Sequence, residues 1–167
     1  MELSNLTFKG GVHVPHKKEL TENNAIEYAK EPSIVYIPLH QHTGAPCEPL
    51  VSVGDRVKIG QKIGEAKSFV SAPVHSSVAG TVKNITNIIT PTGINSVSVV
   101  IEADGTNEID ESVKPKGKLE ELSSKEIIEI IKEAGITGLG GAGFPTHVKL
   151  SPPPEKKIDT VIINGAE

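Results

Sequence analysis

The most regular stretch of the chain runs from Val51 to Gly64 and reads VSVGDRVKIGQKIG. Its aliphatic residues alternate with polar ones, which is the pattern of short strands that are buried on one side only. The pairs Gly54-Asp55 and Gly60-Gln61 interrupt this alternation with residue types typical of tight turns. The stretch therefore predicts several short antiparallel strands joined by sharp reversals.

Segments on either side predict further strands of the same kind. Residues 33–39, 78–82 and 96–101 are rich in Val and Ile, and 91–93 form a Pro-Thr-Gly turn. Hydrophobic residues make up 37% of the chain but aromatic residues only 3%, beside 16 glycines and 12 prolines. This composition favours a small, mainly β domain with an aliphatic core. The polar segment 104–122 is then interpreted as a linker.

The spacing of this domain resembles the biotinyl/lipoyl hammerhead, a barrel-sandwich hybrid of short strands. The matching pieces are V-x-x-G-D-x-V-x-x-G-Q-x-I from Val51 and V-A-G-T-V at 78–82. In carriers of this fold a modified lysine occupies a hairpin tip, whereas here the tip at 70–73 reads V-S-A-P. Lys67 falls three residues early, on the predicted ascending strand. The pattern therefore indicates a structural docking or cover module rather than a carrier.

A helix and a strand are predicted beyond the linker. Ser123 and Glu126 have the spacing of a capping box, in which each side chain bonds to the other residue's backbone N–H. Apolar residues then follow at helical spacing over 124–134, and Gly135 is suited to end the helix. Residues 158–163 have the apolar character of a buried strand.

Between that helix and strand lies a glycine-rich loop, G-L-G-G-A-G at 138–143. Without side chains, successive N–H groups can converge on an anion such as a phosphate. The spacing fits a dinucleotide G-x-G-x-x-G, but that motif follows a strand and here it follows a helix, which disfavours a Rossmann site. A flexible linker is the other interpretation. Pro145 and the residues after it can form a short helix that brings Lys149 near the same ligand.

The charge and the cysteine content argue against several classes of partner and cofactor site. The net charge is −4 with no basic run, so we expect no nucleic-acid partner. A single cysteine, Cys47, excludes an internal disulfide framework and a cysteine-ligated iron–sulfur cluster within these residues. His40, His42 and Cys47 could hold a metal ion, but no recognised ligand spacing completes the set. Polar residues that close one end of the barrel are the favoured interpretation.

Taken in order, the motifs of the chain resemble the N-terminal part of the RnfC family, a soluble component of the ion-translocating Rnf electron-transport complex. The markers besides the hammerhead pattern are F-K-G-G-V-H-V-P-x-K at 8–17, I-P-L-x-Q-H-x-G-A-P at 37–46, G-L-G-G-A-G-F-P-T at 138–146 and I-N-G-A-E at 163–167. The second part is similar to the FMN- and NADH-binding subunit of respiratory complex I. The implied fold is a mainly β barrel-sandwich hybrid followed by the truncated start of an α/β FMN-binding domain.

The resemblance also implies a cofactor site. The complex I loop wraps the phosphate and ribityl chain of FMN, which would place Phe144 towards the NADH adenine and Lys149 near the flavin. The implied binding residues are Gly138, Gly140, Gly141, Gly143, Phe144, Lys149, Asn164 and Glu167. Leu139 stands where the complex I loop has an arginine, so one phosphate contact differs.

The implied function is electron transfer from NADH through FMN and 4Fe-4S clusters to membrane partners, coupled to ion transport. The clusters would be bound by cysteines outside this sequence. The partners would be other membrane subunits of the Rnf complex, with NADH and a ferredoxin-type redox partner. The protein would be peripheral, on the cytoplasmic side of the cell membrane.

The expected organisation is an arm at 1–32, the barrel-sandwich domain at 33–103, a linker at 104–122 and the beginning of the FMN domain at 123–167. We expect the sequence to be part of a longer protein and to be inactive alone. Two alternatives stay open at this point: a related flavin-dependent cobalamin reductase, and a non-catalytic hammerhead carrier or binding module.

Overall fold

The structure is a computed structural model that describes residues 14–163. The chain divides into two compact units, 1–30 and 31–167. In the first, the only helix within the described residues is a 3-10 turn at Lys18–Leu20. The second contains all of the strands and α-helices described below.

The barrel-sandwich domain consists of seven strands in two antiparallel sheets. The strands are β1 (Ile34–Pro38), β2 (Glu48–Pro49), β3 (Arg56–Val57), β4 (Lys62–Glu65), β5 (Val74–His75), β6 (Gly80–Ile89) and β7 (Asn95–Ala103). One sheet has the order β1-β7-β6-β3, and the other has the order β2-β4-β5. This arrangement confirms the predicted barrel-sandwich hybrid, which is followed by a short helical region.

The core is aliphatic, as the composition predicts. It is formed by side chains from both sheets and the loops that join them: Ile37, Leu39, Cys47, Val51, Val57, Ile63, Val74, Val82, Val99 and Ile101. Because the strands are short, the two turns of the opening stretch set their positions. Gly54 and Gly60 both have positive φ, at 97° and 81°, which confirms the two predicted reversals.

The hairpin of β6 and β7 is longer than the sequence predicts. Its strands are ten and nine residues long, and Gly93 forms the turn with φ 79°. A register shift between Val82 and Asn84 interrupts the alternation of inward and outward side chains in β6. The second half of the strand therefore does not fit the period-two pattern used to predict strands. This explains why only 78–82 is recognisable as a strand.

Part of the predicted linker lies against the barrel. Ile109 bridges to Ile59, whose N–H donates to Glu108 O at 2.9 Å. Arg56 forms ion pairs with Asp104 at 3.0 Å and with Glu108 at 2.6 Å. These contacts fasten the first residues after β7 to the domain.

Helix α1 (Ser124–Glu133) has the predicted capping box and end. Ser123 Oγ accepts from Glu126 N–H, and Glu126 Oε2 accepts from Ser123 N–H at 2.8 Å. Gly135 follows with φ 68°. A second helix, α2 (Thr146–Lys149), begins directly after Pro145, as predicted.

The predicted strand at 158–163 is wrong. These residues are not in a strand, and their apolar side chains are exposed, from 61% at Ile158 to 88% at Ile162. No strand among the described residues lies beside this segment, and a strand forms by pairing rather than from its own sequence.

Candidate functional site

The glycine loop at 138–143 is a closed loop between α1 and α2. At its base, Gly138 N–H donates to Phe144 O at 2.9 Å, and Thr146 N–H donates to Ile136 O at 3.0 Å. Thr137 and Pro145 form an antiparallel bridge at the same place. The segment is therefore held at both ends, which argues against a flexible linker.

The conformation of the loop requires glycine at two positions and leaves space at a third. Gly140 and Gly143 have φ of 74° and 63°, in the left-handed region that disfavours side chains. A Cβ atom on Gly141, by contrast, would meet no heavy atom of residues 14–163 within 4 Å. Space is thus open directly over Gly141, where a ligand could approach the backbone.

The backbone N–H groups of the loop are available to a ligand. Among the described residues, none of the N–H groups from Leu139 to Phe144 donates a hydrogen bond to another protein group. Leu139, at the tip, is fully exposed. Six successive donors without a protein acceptor are the kind of surface that binds an anion.

The side chain of Lys149 lies beside the loop. Its Nζ atom is 2.6 Å from the position that a Cβ atom of Gly138 would occupy. Glycine at 138 therefore lets an ammonium group lie against the backbone at the base of the loop. The same region thus combines unpaired N–H donors with a positive charge, and both favour a phosphate.

The remaining predicted site residues fall into two groups. Phe144 is half-buried, and its carbonyl oxygen closes the base of the loop. Asn164 and Glu167 lie outside the described residues. The structure thus brings together the four glycines, Phe144 and Lys149.

The loop rests on the barrel through a residue that the sequence does not single out. Thr43 Oγ1 donates to Ala142 O at 2.6 Å, and Thr43 N–H donates to Gly143 O at 3.2 Å. A Cβ atom on Gly143 would lie 3.3 Å from both Gln41 O and His42 Cα, so the two backbones are close. No local pattern connects residues 99 positions apart, which is why sequence reasoning misses Thr43.

A second contact holds α2 against the barrel. His147 is only 3% exposed, and its Nε2 atom donates to Phe69 O at 3.0 Å. The two aromatic rings also pack edge to face, with 6.0 Å between their centroids. Nδ1 of His147 is buried without a hydrogen-bond partner among the described residues. This histidine is another contact that the sequence alone does not indicate.

All three residues considered as metal ligands form hydrogen bonds with the protein, and His40 Nε2 lies 3.0 Å from Gly44 O. His42 Nε2 accepts the N–H of Ala72 at 3.0 Å, and Cys47 Sγ donates to Ala72 O at 3.0 Å. Burial lowers the pKa of His42 and raises the pKa of Cys47, so both side chains stay neutral near pH 7. No cluster of three or more possible metal ligands occurs within residues 14–163. These bonds are what side chains closing one end of a barrel would make.

The hairpin tip of the barrel does not present a lysine for modification. Residues 71–74 are buried, and Pro73 O lies so close to Gly135, after α1, that a Cβ on this glycine would collide with it. Lys67 lies beyond the end of β4, not on a strand, and it pairs with Glu48 at 3.0 Å. A covered tip is the opposite of what an enzyme that attaches biotin or lipoate requires.

None of the helices in the described part of the chain has the length and apolar character needed to cross a bilayer.

The chain matches two known domain families. Residues 6–106 match the RnfC barrel sandwich hybrid domain, and residues 131–167 match the Nuo51 FMN-binding domain. The boundary between the two matches falls between β7 and the end of α1, so the glycine loop lies in the second.

Relatives match both regions together. The C subunit of the Na(+)-translocating ferredoxin:NAD(+) oxidoreductase complex of Acetobacterium woodii is 49% identical over 167 residues, covering 100% of this chain and 38% of the relative. The C subunit of the proton-translocating ferredoxin:NAD(+) oxidoreductase complex of Clostridium ljungdahlii is 48% identical, covering 96% of this chain and 35% of the relative. The C subunit of the ion-translocating oxidoreductase complex of Haemophilus influenzae is 36% identical, covering 96% and 20%. With a family match over most of its length, the chain belongs to the RnfC family.

Proposed function

We propose that this chain acts as part of the RnfC subunit of an ion-translocating ferredoxin:NAD(+) oxidoreductase complex, and that its glycine loop binds the phosphate of FMN. The first half of the proposal rests on the relatives, whose names state that activity. The second half rests on the match of residues 131–167 to an FMN-binding domain. The observation that carries it is the run of N–H groups from Leu139 to Phe144, which have no acceptor within the part of the chain that the structure describes.

The residues of the loop fit a phosphate in three respects. The N–H groups supply hydrogen-bond donors, the open space at Gly141 admits the ligand, and Lys149 supplies a positive charge. Gly138 and Gly143 have a supporting role, since they let Lys149 and the barrel backbone come close. Phe144, Asn164 and Glu167 stay as further candidates for the flavin and nucleotide pocket.

FMN would supply the redox chemistry, since a flavin exchanges a hydride with a nicotinamide and single electrons with iron–sulfur centres. The residues of this chain would bind the flavin, fix its orientation and neutralise its phosphate. The ammonium group of Lys149 would offset the charge of the phosphate. No side chain of the loop is titratable, so the loop itself moves no proton.

The remaining partners follow from the same proposal. The cysteines of any 4Fe-4S clusters would lie outside this sequence, because Cys47 is its only cysteine. NAD(H) and a ferredoxin-type protein would be the redox partners, and other subunits of the complex would hold the protein on the cytoplasmic side of the membrane. Two of the relatives' names give ferredoxin and NAD(+) together, and a flavin site supports electron transfer in either direction.

The test compares the flavin content of the wild type with that of the Gly141→Val variant, each as the full-length protein purified from its native host. A Cβ at this position meets no atom of the described residues within 4 Å, so the flavin-free variant should unfold at the same temperature as the flavin-free wild type. We expect it to lose its FMN, because the branched side chain occupies the space over the backbone donors. Gly141→Ala, with a single methyl group, should retain part of the flavin. Full flavin content in Gly141→Val would remove the loop from the site.

A further inference from the structure

Two barrel segments, 40–45 and 69–72, form a fixed floor beneath the glycine loop. Ala45 N–H donates to Val70 O at 3.0 Å, and Ala72 N–H donates to the ring of His42 at 3.0 Å. Gly44 has φ 113°, and a Cβ there would collide with Val70 O, so the two segments are in close backbone contact. The floor is held by backbone contacts and by a buried side chain, which restricts its motion.

Thr43 is the residue of this floor that hydrogen-bonds to the loop. It is exposed, so its hydroxyl is not needed to fill the core. Its side chain and its N–H bond to two successive carbonyl oxygens, those of Ala142 and Gly143. Both carbonyls therefore point towards the barrel.

Because the peptide bond is planar, the direction of each carbonyl group fixes the direction of the N–H group that follows it. In a trans peptide the C=O and the following N–H point in opposite directions, and the described residues contain no cis bond. The carbonyl of Ala142 shares its peptide unit with the N–H of Gly143, and the carbonyl of Gly143 shares its unit with the N–H of Phe144. When Thr43 holds the two carbonyls, both N–H groups are turned away from the barrel.

We propose that Thr43 is a positioning residue for the phosphate site: it bonds to the carbonyls of Ala142 and Gly143 and thereby orients the N–H groups of Gly143 and Phe144 towards the ligand. The proposal rests on the proposed binding of FMN at this loop. It gives the barrel-sandwich domain a function in the proposed flavin site, as a platform that pre-organises donors contributed by the next domain. Donors that are oriented before binding cost less ordering entropy when the ligand arrives.

The experiment compares Thr43→Val with Thr43→Ser in the full-length protein, stripped of flavin and titrated with FMN. Valine has the shape of threonine without the hydroxyl, and serine keeps the hydroxyl. We expect Thr43→Val to weaken FMN binding about five- to tenfold, the effect of one lost hydrogen bond, since the backbone bond from Thr43 N–H remains. Thr43→Ser should bind with an affinity close to that of the wild type.

A matched control separates positioning from general stability. Thr106 is also exposed, and its hydroxyl donates to Asp104 at 2.7 Å, outside the loop and its floor. Thr106→Val should therefore leave the Kd for FMN unchanged. Thermal unfolding of each variant is measured alongside, and a Kd change in Thr43→Val at an unchanged unfolding temperature supports positioning. If Thr43→Val lowers the unfolding temperature more than Thr106→Val does, the role of Thr43 is structural and the inference fails.

The two proposals fail in different ways. If Gly141→Val loses FMN while Thr43→Val binds it like the wild type, the loop binds the flavin but Thr43 does not position it. Equal weakening by Thr43→Val and Thr43→Ser would also overturn the inference, because the hydroxyl would not be the cause. If Gly141→Val binds FMN like the wild type, the proposed function itself is wrong, and the inference is lost with it.

Discussion

The barrel and the region around the glycine loop contain similar aliphatic residues but bury them very differently. In the barrel, the side chains of Val57, Ile63 and Ile101 are completely buried. Helix α1 has no buried residue, although isoleucines fill its apolar face. The barrel thus carries its own core within the described residues, whereas the second region depends on local motifs and on contacts with the barrel.

The same difference assigns the stability of the chain mainly to the barrel and ligand binding to the glycine loop. The strands of the barrel are tied by paired hydrogen bonds and a shared core, so this part can serve as a platform. Within the described residues, the glycine loop has unpaired donors and open space, which add nothing to the stability of the chain alone but suit a ligand. The predictions that follow test this division, beginning with the largest expected effect.

Truncation of one isoleucine in each region should give the clearest difference in the free energy of unfolding. Ile63→Ala in the barrel removes a completely buried side chain and should lower the free energy of unfolding by about 2–4 kcal/mol. Ile130→Ala in α1 removes the same atoms from a half-buried position and should cost about 1 kcal/mol or less. Urea unfolding of the two variants measures the difference. Equal losses would mean that α1 is packed as tightly as the barrel.

Two glycines with similar backbone angles should respond differently to alanine. A Cβ on Gly44 would collide with Val70 O, so Gly44→Ala forces the floor segments apart and should cost more than about 2 kcal/mol. Gly54 has φ 97° but open space, so Gly54→Ala should cost only the strain of the backbone angle, about 1 kcal/mol. Thermal unfolding compares the two. A cost at Gly54 as large as that at Gly44 would show that the backbone angle, not the contact, is decisive.

The capping box should be worth about 1 kcal/mol to α1. Ser123→Ala removes the acceptor for Glu126 N–H and leaves that donor without its cap. Ser123→Asp is the matched control, because aspartate is also a good N-cap residue and should restore most of the loss. Helix content by circular dichroism and the unfolding midpoint report the effect. An unaltered Ser123→Ala variant would mean that contacts with the barrel alone hold the helix.

The smallest expected effect is a pH dependence that originates in the floor. Burial lowers the pKa of His42 in the folded state, so below the ordinary histidine pKa the unfolded chain binds more protons than the native one. The stability that His42 contributes is present above that ordinary pKa and is lost as the pH falls towards the native value. Replacing the ring that accepts the Ala72 N–H should make His42→Gln less stable at pH 7. Because glutamine does not titrate, the variant should also show a flatter decline between pH 7 and pH 5. Parallel declines in the two proteins would mean that other groups cause the pH dependence.

Local sequence motifs predict local structure well, but the sequence does not predict the long-range contacts. The capping box at Ser123, the turn at Gly135 and the helix after Pro145 depend on neighbours a few residues away, and all of them form. The strand expected at 158–163 depends on a partner strand, and it does not form among the described residues.

The candidate site divides in the same way. The glycine pattern indicates an anion-binding loop because the cause is local: no side chains and free N–H groups. The supports of that loop, Thr43 and His147, come from contacts 99 and 78 positions apart in the chain. Neither residue type is unusual in its own segment, so no sequence signal marks them.

The most direct test of the account is whether the loop recognises a phosphate. The full-length protein, stripped of flavin, is titrated with FMN and with riboflavin, which differ only in that group. If the N–H groups of the loop and Lys149 bind the phosphate, FMN should bind at least about tenfold more tightly than riboflavin, and Gly141→Val should abolish this preference. Equal affinities of the wild-type protein for FMN and riboflavin would contradict the account.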